Sequence, residues 1–152
     1  MPKIRVKNRT EATTVAQDVM SSDLVVLRKN QTFRDAIELL TERRLTVLPV
    51  VNSRGKLIGL LTEKEVLGAC KSLKSEVPNF LDRPIRFKKD VYTADLMTPM
   101  EKIKAILAHK PFRHLPIVDN KGVLRGIITR RDLIRVMYLR IELKAKSRNR
   151  EI

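Results

Sequence analysis

The chain has 152 residues, 43% of them hydrophobic, which is enough to bury a core as one domain or as two small modules that share one. It has no 18-residue apolar run and no charged leader ahead of an apolar stretch, so neither a membrane span nor a signal peptide is indicated and a cytoplasmic protein is expected. The formal net charge of +15 is unevenly spread: residues 1–10 carry +4, residues 11–82 balance to zero, residues 83–140 carry +9 and residues 141–152 carry +2. Such a surplus attracts polyanions, which include nucleotides, nucleic acids and acidic partners. One cysteine, Cys70, excludes an intrachain disulfide, and two histidines, His109 and His114, without Cys or His partners at ligand spacing argue against a metal site.

Taken in order, residues 1–10 alternate basic with other side chains and read as a basic N-terminal arm. Residues 11–20 (EATTVAQDVM) have the pattern of a short helix, expected to pack on the unit that follows. A short strand at 24–27 (LVVL) precedes a helix in which Phe33, Ala36, Ile37 and Leu40 keep the spacing of one apolar face. Two apolar strands then flank the turn NSRG at 52–55, and a second helix begins after Thr62, with Val66, Leu67 and Cys70 as its expected buried stripe. Lys71 to Lys89 is polar, holds Pro78 and Pro84, and reads as a linker.

The remainder repeats this plan at an offset of 67 residues. LPVVNSRGKLIGLLTEKEVL (48–67) superposes without a gap on LPIVDNKGVLRGIITRRDLI (115–134), with seven of the twenty pairs identical. The second copy has a strand at 91–94 (VYTA), a helix carrying Met100, Ile103 and Leu107, a hairpin with the turn DNKG at 119–122, and a last helix whose expected stripe is Leu133, Ile134, Met137 and Ile141. The expected fold class is therefore α+β: two β-α-β-β-α repeats, at 11–76 and 77–140, packed sheet to sheet with pseudo-two-fold symmetry and followed by a basic tail at 141–152. Neither repeat covers enough apolar surface to stand alone.

The stretches DVMSSDLVVL (18–27), TVLPVVNSRGKLIGLLTEKEV (46–66) and FRHLPIVDNKGVLRGIITRRDL (112–133), in two copies at this spacing, resemble the paired cystathionine-β-synthase-type (CBS) domains known as a Bateman module. The resemblance covers about residues 15–138, nearly the whole chain, as in a stand-alone module. It implies a non-enzymatic regulatory protein that binds an adenosine nucleotide (AMP, ADP or ATP) without a covalent cofactor, pairs into a homodimer and acts on a protein partner.

By the same resemblance the ligand falls mainly to the second repeat. Thr129 and Asp132 match the family's Thr-x-x-Asp, in which the aspartate takes the ribose hydroxyls and the threonine region faces phosphate. The residues alone also admit a capping box at the helix start. Arg130 and Arg131 then stand in the first turn, where the helix dipole disfavours cations by a few tenths of a kcal/mol each, roughly, unless an anion sits there. Arg113 and His114, just ahead of Leu115 and Pro116, match basic residues that reach phosphate in the family. Tyr92 and Thr93 match the strand that lines the base pocket, with core packing the alternative for Tyr92. Arg86 and Lys88 lie just upstream. In the first copy Thr62, Glu65, Leu48 and Pro49 form a weaker site: Glu65 is longer than aspartate, Glu63 opposes phosphate, and no cations precede Leu48. Nucleic-acid binding through the basic second half and tails is a second reading. Aromatic residues at 4% and the absence of Trp leave few stacking platforms for it. A dimerisation module with degenerate clefts is a third. No P-loop, catalytic triad or metal cluster points to an enzyme.

Overall fold

The structure, a computed structural model, describes residues 14–71 and 79–150; the basic arm expected at 1–10 lies outside them. In chain order the elements are α1 (Ala16–Val19), α2 (Phe33–Glu42), β1 (Val47–Val51), β2 (Leu57–Thr62), α3 (Glu63–Lys71), β3 (Ala94–Asp95), α4 (Met100–His109), β4 (His114–Val118), β5 (Leu124–Thr129) and α5 (Arg130–Arg148). The fold is α+β with two sheets, β1-β2 and β3-β4-β5. The described residues fall in two compact units, one holding those of 25–92 with 120–124, the other holding the remaining described residues.

In the first unit α2 opens with a capping box: the Thr32 hydroxyl accepts from the Asp35 amide at 3.3 Å while the Asp35 carboxylate accepts from the Thr32 amide at 3.0 Å. The apolar face then buries Phe33, Ala36 and Leu40 against Leu48, Val50 and Leu61 of the antiparallel β1-β2 pair. Gly55 holds φ +77° in the turn, and the Asn52 side-chain oxygen accepts from the amides of Arg54 and Lys56. Residues 120–124 belong to this unit because Gly122 accepts from Leu57 and Leu124 donates to Gly55. The second unit repeats the design, with Met100, Ile103, Ile106 and Leu107 of α4 packed on Leu115, Ile117 and Ile128.

The expected first strands are shorter than their sequences suggest. LVVL contributes only Leu27, whose amide donates to the Pro49 carbonyl and whose carbonyl accepts from Val51, and VYTA contributes the two-residue β3, parallel to β4. Each has one parallel neighbour, which anchors few residues.

The lead-in segment of each repeat sits in the other repeat's unit. Residues 14–21, expected to pack on the first unit, instead bond to the second: Ala16 donates to Thr98, Gln17 to Leu96, Met100 to Thr14, and Ser21 pairs with Ile127. Residues 79–88, expected as linker, are built into the first unit. Phe80 and Ile85 are buried, the Phe80 ring stacks on Phe33 with centroids 4.5 Å apart, and Lys88 pairs with Leu60. The two pairings are equivalent, since Ser21 and Lys88, like Leu60 and Ile127, are 67 residues apart. Proline and charge made 79–88 look like a linker, although its apolar residues Phe80, Ile85 and Phe87 are what it packs.

This exchange explains the glycine shared by GLLT and GIIT. A Cβ at Gly59 would stand 2.5 Å from the Lys88 carbonyl oxygen and against the Phe87 ring; at Gly126 it would meet Met20 Sδ at 2.5 Å. Only a residue without Cβ lets the lead-in segment cross the strand so closely.

Two helical stripes differ from expectation. In α3 no residue is fully buried; Leu67 and Cys70 are exposed, so Cys70 is not the small core hydrophobe that its spacing suggested. In α5 the core takes Leu133 and Val136, while Ile134, Met137 and Ile141 face outward, and the helix runs on to Arg148 through the stretch expected as tail. Both helices have apolar residues on more than one face, so periodicity could not choose the buried one.

Gly59→Ala is expected to destabilise the fold by about 1–3 kcal/mol, because the added methyl meets backbone. Gly126→Ala should cost less, since the Met20 side chain can swing aside. Urea denaturation of the two variants beside the parent checks the order, and equal stabilities for all three would contradict the crossing argument.

Candidate functional site at the start of the last helix

β5 passes into α5 at Thr129, and the capping box is complete. The Thr129 hydroxyl accepts from the Asp132 amide at 3.2 Å, and Asp132 Oδ2 accepts from the Thr129 amide at 2.9 Å. Capping does not exhaust the aspartate: an ionised carboxylate has about four acceptor sites, and this bond uses one. Both residues are half-buried, which leaves an edge open to solvent.

β4 brings the next groups. His114 is its first residue, followed by buried Leu115, Pro116 and Ile117. The His114 imidazole lies within electrostatic reach of both Arg113 and Asp132, so three of the singled-out residues share one neighbourhood. Arg113 is exposed, and its carbonyl accepts from the Arg130 amide at 3.4 Å. β3 pairs Ala94 with Ile117, which sets Thr93 level with Pro116 at the strand end. Tyr92 is 45% exposed, so the core-packing alternative does not hold for it.

The two arginines of the first turn have different surroundings. Arg130 Nε donates to the Leu107 carbonyl at 2.7 Å and a terminal nitrogen donates to the Lys110 carbonyl at 2.9 Å. Its guanidinium thus satisfies carbonyls at the C-terminal end of α4, where a helix leaves acceptors unpaired and favours a cation. Nothing local in the sequence signals this, because the carbonyls lie 20 and 23 residues away. Arg131 is exposed.

The equivalent groups of the first copy are arranged differently. Glu65 Oε2 accepts both from the Thr62 amide, at 2.8 Å, and from the Thr62 hydroxyl, while that hydroxyl accepts from the Lys64 amide at 3.2 Å. One more methylene lets the carboxylate reach past the amide to the hydroxyl, so the pair is turned inward on itself. Leu48 and Pro49 are buried in β1, as Leu115 and Pro116 are in β4. No cation takes the place of Arg113 or His114.

The CBS domain family matches residues 15–72 and 85–139. Among curated relatives, the chloroplastic CBS domain-containing protein CBSX1 of Arabidopsis thaliana is 31% identical over 138 residues, 74% of this chain, and the chain spans 58% of that protein's length. Among solved structures, CBSX2 in complex with AMP is 27% identical, with a TM-score of 0.70, covering 84% of this chain and 98% of that one. The protein named AcuB from Vibrio cholerae shares the fold, with a TM-score of 0.78 at 23% identity over 88% of this chain and 97% of that one.

Burial, and next the positive charge of Arg113, hold the His114 pKa below 6.5; Asp132 opposes them. The folded state then binds fewer protons than the unfolded state between the lowered value and 6.5. Stability contributed by neutral His114 is complete above pH 6.5 and is lost as the pH falls through the folded pKa. His114→Gln is expected to flatten the acid side of a melting-temperature profile while leaving the alkaline side unchanged. Parallel profiles for the two proteins would exclude this role.

Proposed function

This chain belongs to the CBS domain family, and on that premise we propose that it is a non-enzymatic regulatory protein that binds an adenosine nucleotide (AMP, ADP or ATP), chiefly through its second repeat. The observation that carries the reading is the gathering of Arg113, His114, Thr129 and Asp132 where β4 and β5 meet the start of α5. Asp132 offers a carboxylate to the ribose hydroxyls, a donor pair for which a charged acceptor is the strong partner. The amides of the first turn of α5, His114, Arg113 and Arg131 offer donors and positive charge to phosphate. Thr93, just ahead of β3, lies level with Pro116 in the middle of β4 and next to Leu115, where the family resemblance sets the base, and Tyr92 precedes them in the chain. AMP in the related CBSX2 supports the ligand class. Arg130 serves the reading indirectly, by fixing the helix start. The inward-turned Thr62–Glu65 pair supports a weaker first-repeat site.

Regulation follows if ligand binds one arrangement of the protein better than another and so shifts contact with a protein partner. We also read the protein as a homodimer. Ile134, Met137, Tyr138 and Ile141, spaced i, i+3, i+4, i+7 on α5, form an apolar stripe with Ile134 67%, Tyr138 60% and Ile141 65% exposed. Arg135 and Glu142 lie along one flank of that stripe, seven residues apart. Two copies of α5 laid antiparallel bring Arg135 of each beside Glu142 of the other, so a second copy is the occupant whose charge fits. No described helix is long and apolar enough to cross a membrane.

Calorimetric titration with AMP, ADP, ATP and S-adenosylmethionine tests the ligand. At least one of the three adenosine phosphates should bind, and Asp132→Asn should weaken it roughly ten- to a hundredfold, the worth of bonds to a charged acceptor. Thr62→Val should leave it nearly unchanged. Silence with all four ligands at millimolar concentration, or two equivalent sites, would overturn the reading. Analytical ultracentrifugation tests the dimer: Ile141→Glu should turn it into monomer without altering the circular dichroism, and a monomeric parent protein would exclude it.

A further inference from the structure

In the first unit a cavity of about 340 Å³ opens between the start of α2, the outer end of α3 and the lead-in segment, lined by Phe33, Ala69, Phe80, Arg83, Pro84, Ile85 and Arg86. The internal repeat shows what is unusual about it. The residues 67 positions away from Phe33, Ala69, Arg83 and Arg86 are Met100, Val136, Ala16 and Val19, and in the second unit all four are buried in one closed core. The first unit has a smaller residue in place of Val136 and two arginines in place of Ala16 and Val19. The second unit fills this place, and among the described residues of the first it is a cavity with two cations in its lining.

The walls are set by backbone hydrogen bonds. Phe33 donates to the Arg83 carbonyl at 3.0 Å, Arg34 to the Leu81 carbonyl at 2.9 Å, and Ile85 to the Gln31 carbonyl at 3.0 Å. The floor is apolar: the Phe33 and Phe80 rings stack with an interplanar angle of 23°, and Ile85 is buried beside them. The neighbouring carboxylate, Asp82, is held by Arg34 at 3.2 Å, and among the described residues neither Arg83 nor Arg86 makes an ion pair. Among the described residues no carboxylate lines the cavity, so none of them matches a ribose as Asp132 does.

We infer that this cavity is a second ligand site, distinct from the nucleotide site at α5, for a small aromatic carboxylate whose ring lies against Phe33, Phe80 and Ile85 and whose anion is taken by Arg83 and Arg86. Its volume is at the lower end of the range for small-molecule sites, and an aromatic floor with a few convergent polar groups is the usual composition of such a site. Guanidinium groups suit a carboxylate because its two oxygens match their paired donors. An aromatic anion meets both halves of the cavity, whereas a simple anion or a neutral ring meets one.

The test uses the full chain with phenylacetate as the probe and acetate and phenylacetamide as the ring-free and charge-free controls, followed by ¹H–¹⁵N correlation spectra. Phenylacetate at millimolar concentration should move the amides of Phe33, Ala69, Phe80 and Ile85, and neither control should do so to the same extent. The double variant Arg83→Gln, Arg86→Gln should weaken binding roughly tenfold or more, the loss of charge-assisted bonds. Ala69→Leu, which fills the cavity, should abolish it. Absent shifts, shifts elsewhere in the chain, equal responses to phenylacetate and phenylacetamide, or unchanged binding by the arginine variant would each overturn the inference. The arginine variant and the two controls keep it open to refutation should Ala69→Leu fail to fold.

Discussion

The rest of this structure depends on the crossing of each lead-in segment over the second hairpin strand of a repeat, at the glycine that both copies share. At Gly59 and Gly126 the segment passes so close that a single methyl would collide with Lys88 or Met20. That contact joins residues 14–21 to the second repeat's unit and residues 79–88 to the first. Each unit is completed by chain that belongs, in sequence, to the other repeat. Phe80 and Ile85 close one core, as Ala16 and Val19 close the other. A half-repeat cut at its sequence boundary would lack part of its own core, so the two copies are bound to fold as one molecule.

Inside that shared frame the copies have diverged by small chemical steps. Asp132 and Glu65 differ by one methylene, yet the first accepts from the Thr129 amide alone while the second also takes the Thr62 hydroxyl. On the far side of α2 and α3 the divergence is in volume and charge, Ala69 for valine and two arginines for alanine and valine. The first repeat's pair at the helix start is turned inward, and its unit holds a cavity that the second unit fills.

Much of this was legible in the chain. The offset of 67 residues, the turns with Gly55 and Gly122 at positive φ, the stripes of α2 and α4, and the capping signature at Thr129 all follow from local rules of spacing and turn chemistry. The candidate site was legible as a set of residue types, and His114 lies within electrostatic reach of Arg113 and Asp132. The outward stripe of α5, the exposure of Cys70 and the burial of Phe80 were not legible. Several faces of these segments are apolar enough to be buried, and which one is chosen depends on what packs against it.

By itself, then, the sequence determined the repeat, the order and class of its elements, the turns and the chemistry gathered at the second helix start, because each depends on neighbours within a few residues. Tertiary structure alone decided that the lead-in segments change places, that Arg130 donates to carbonyls at the end of α4, and that one unit keeps a cavity where the other is filled. Those outcomes rest on carbonyls, rings and side-chain volumes brought together from distant parts of the chain, and no local pattern records that meeting.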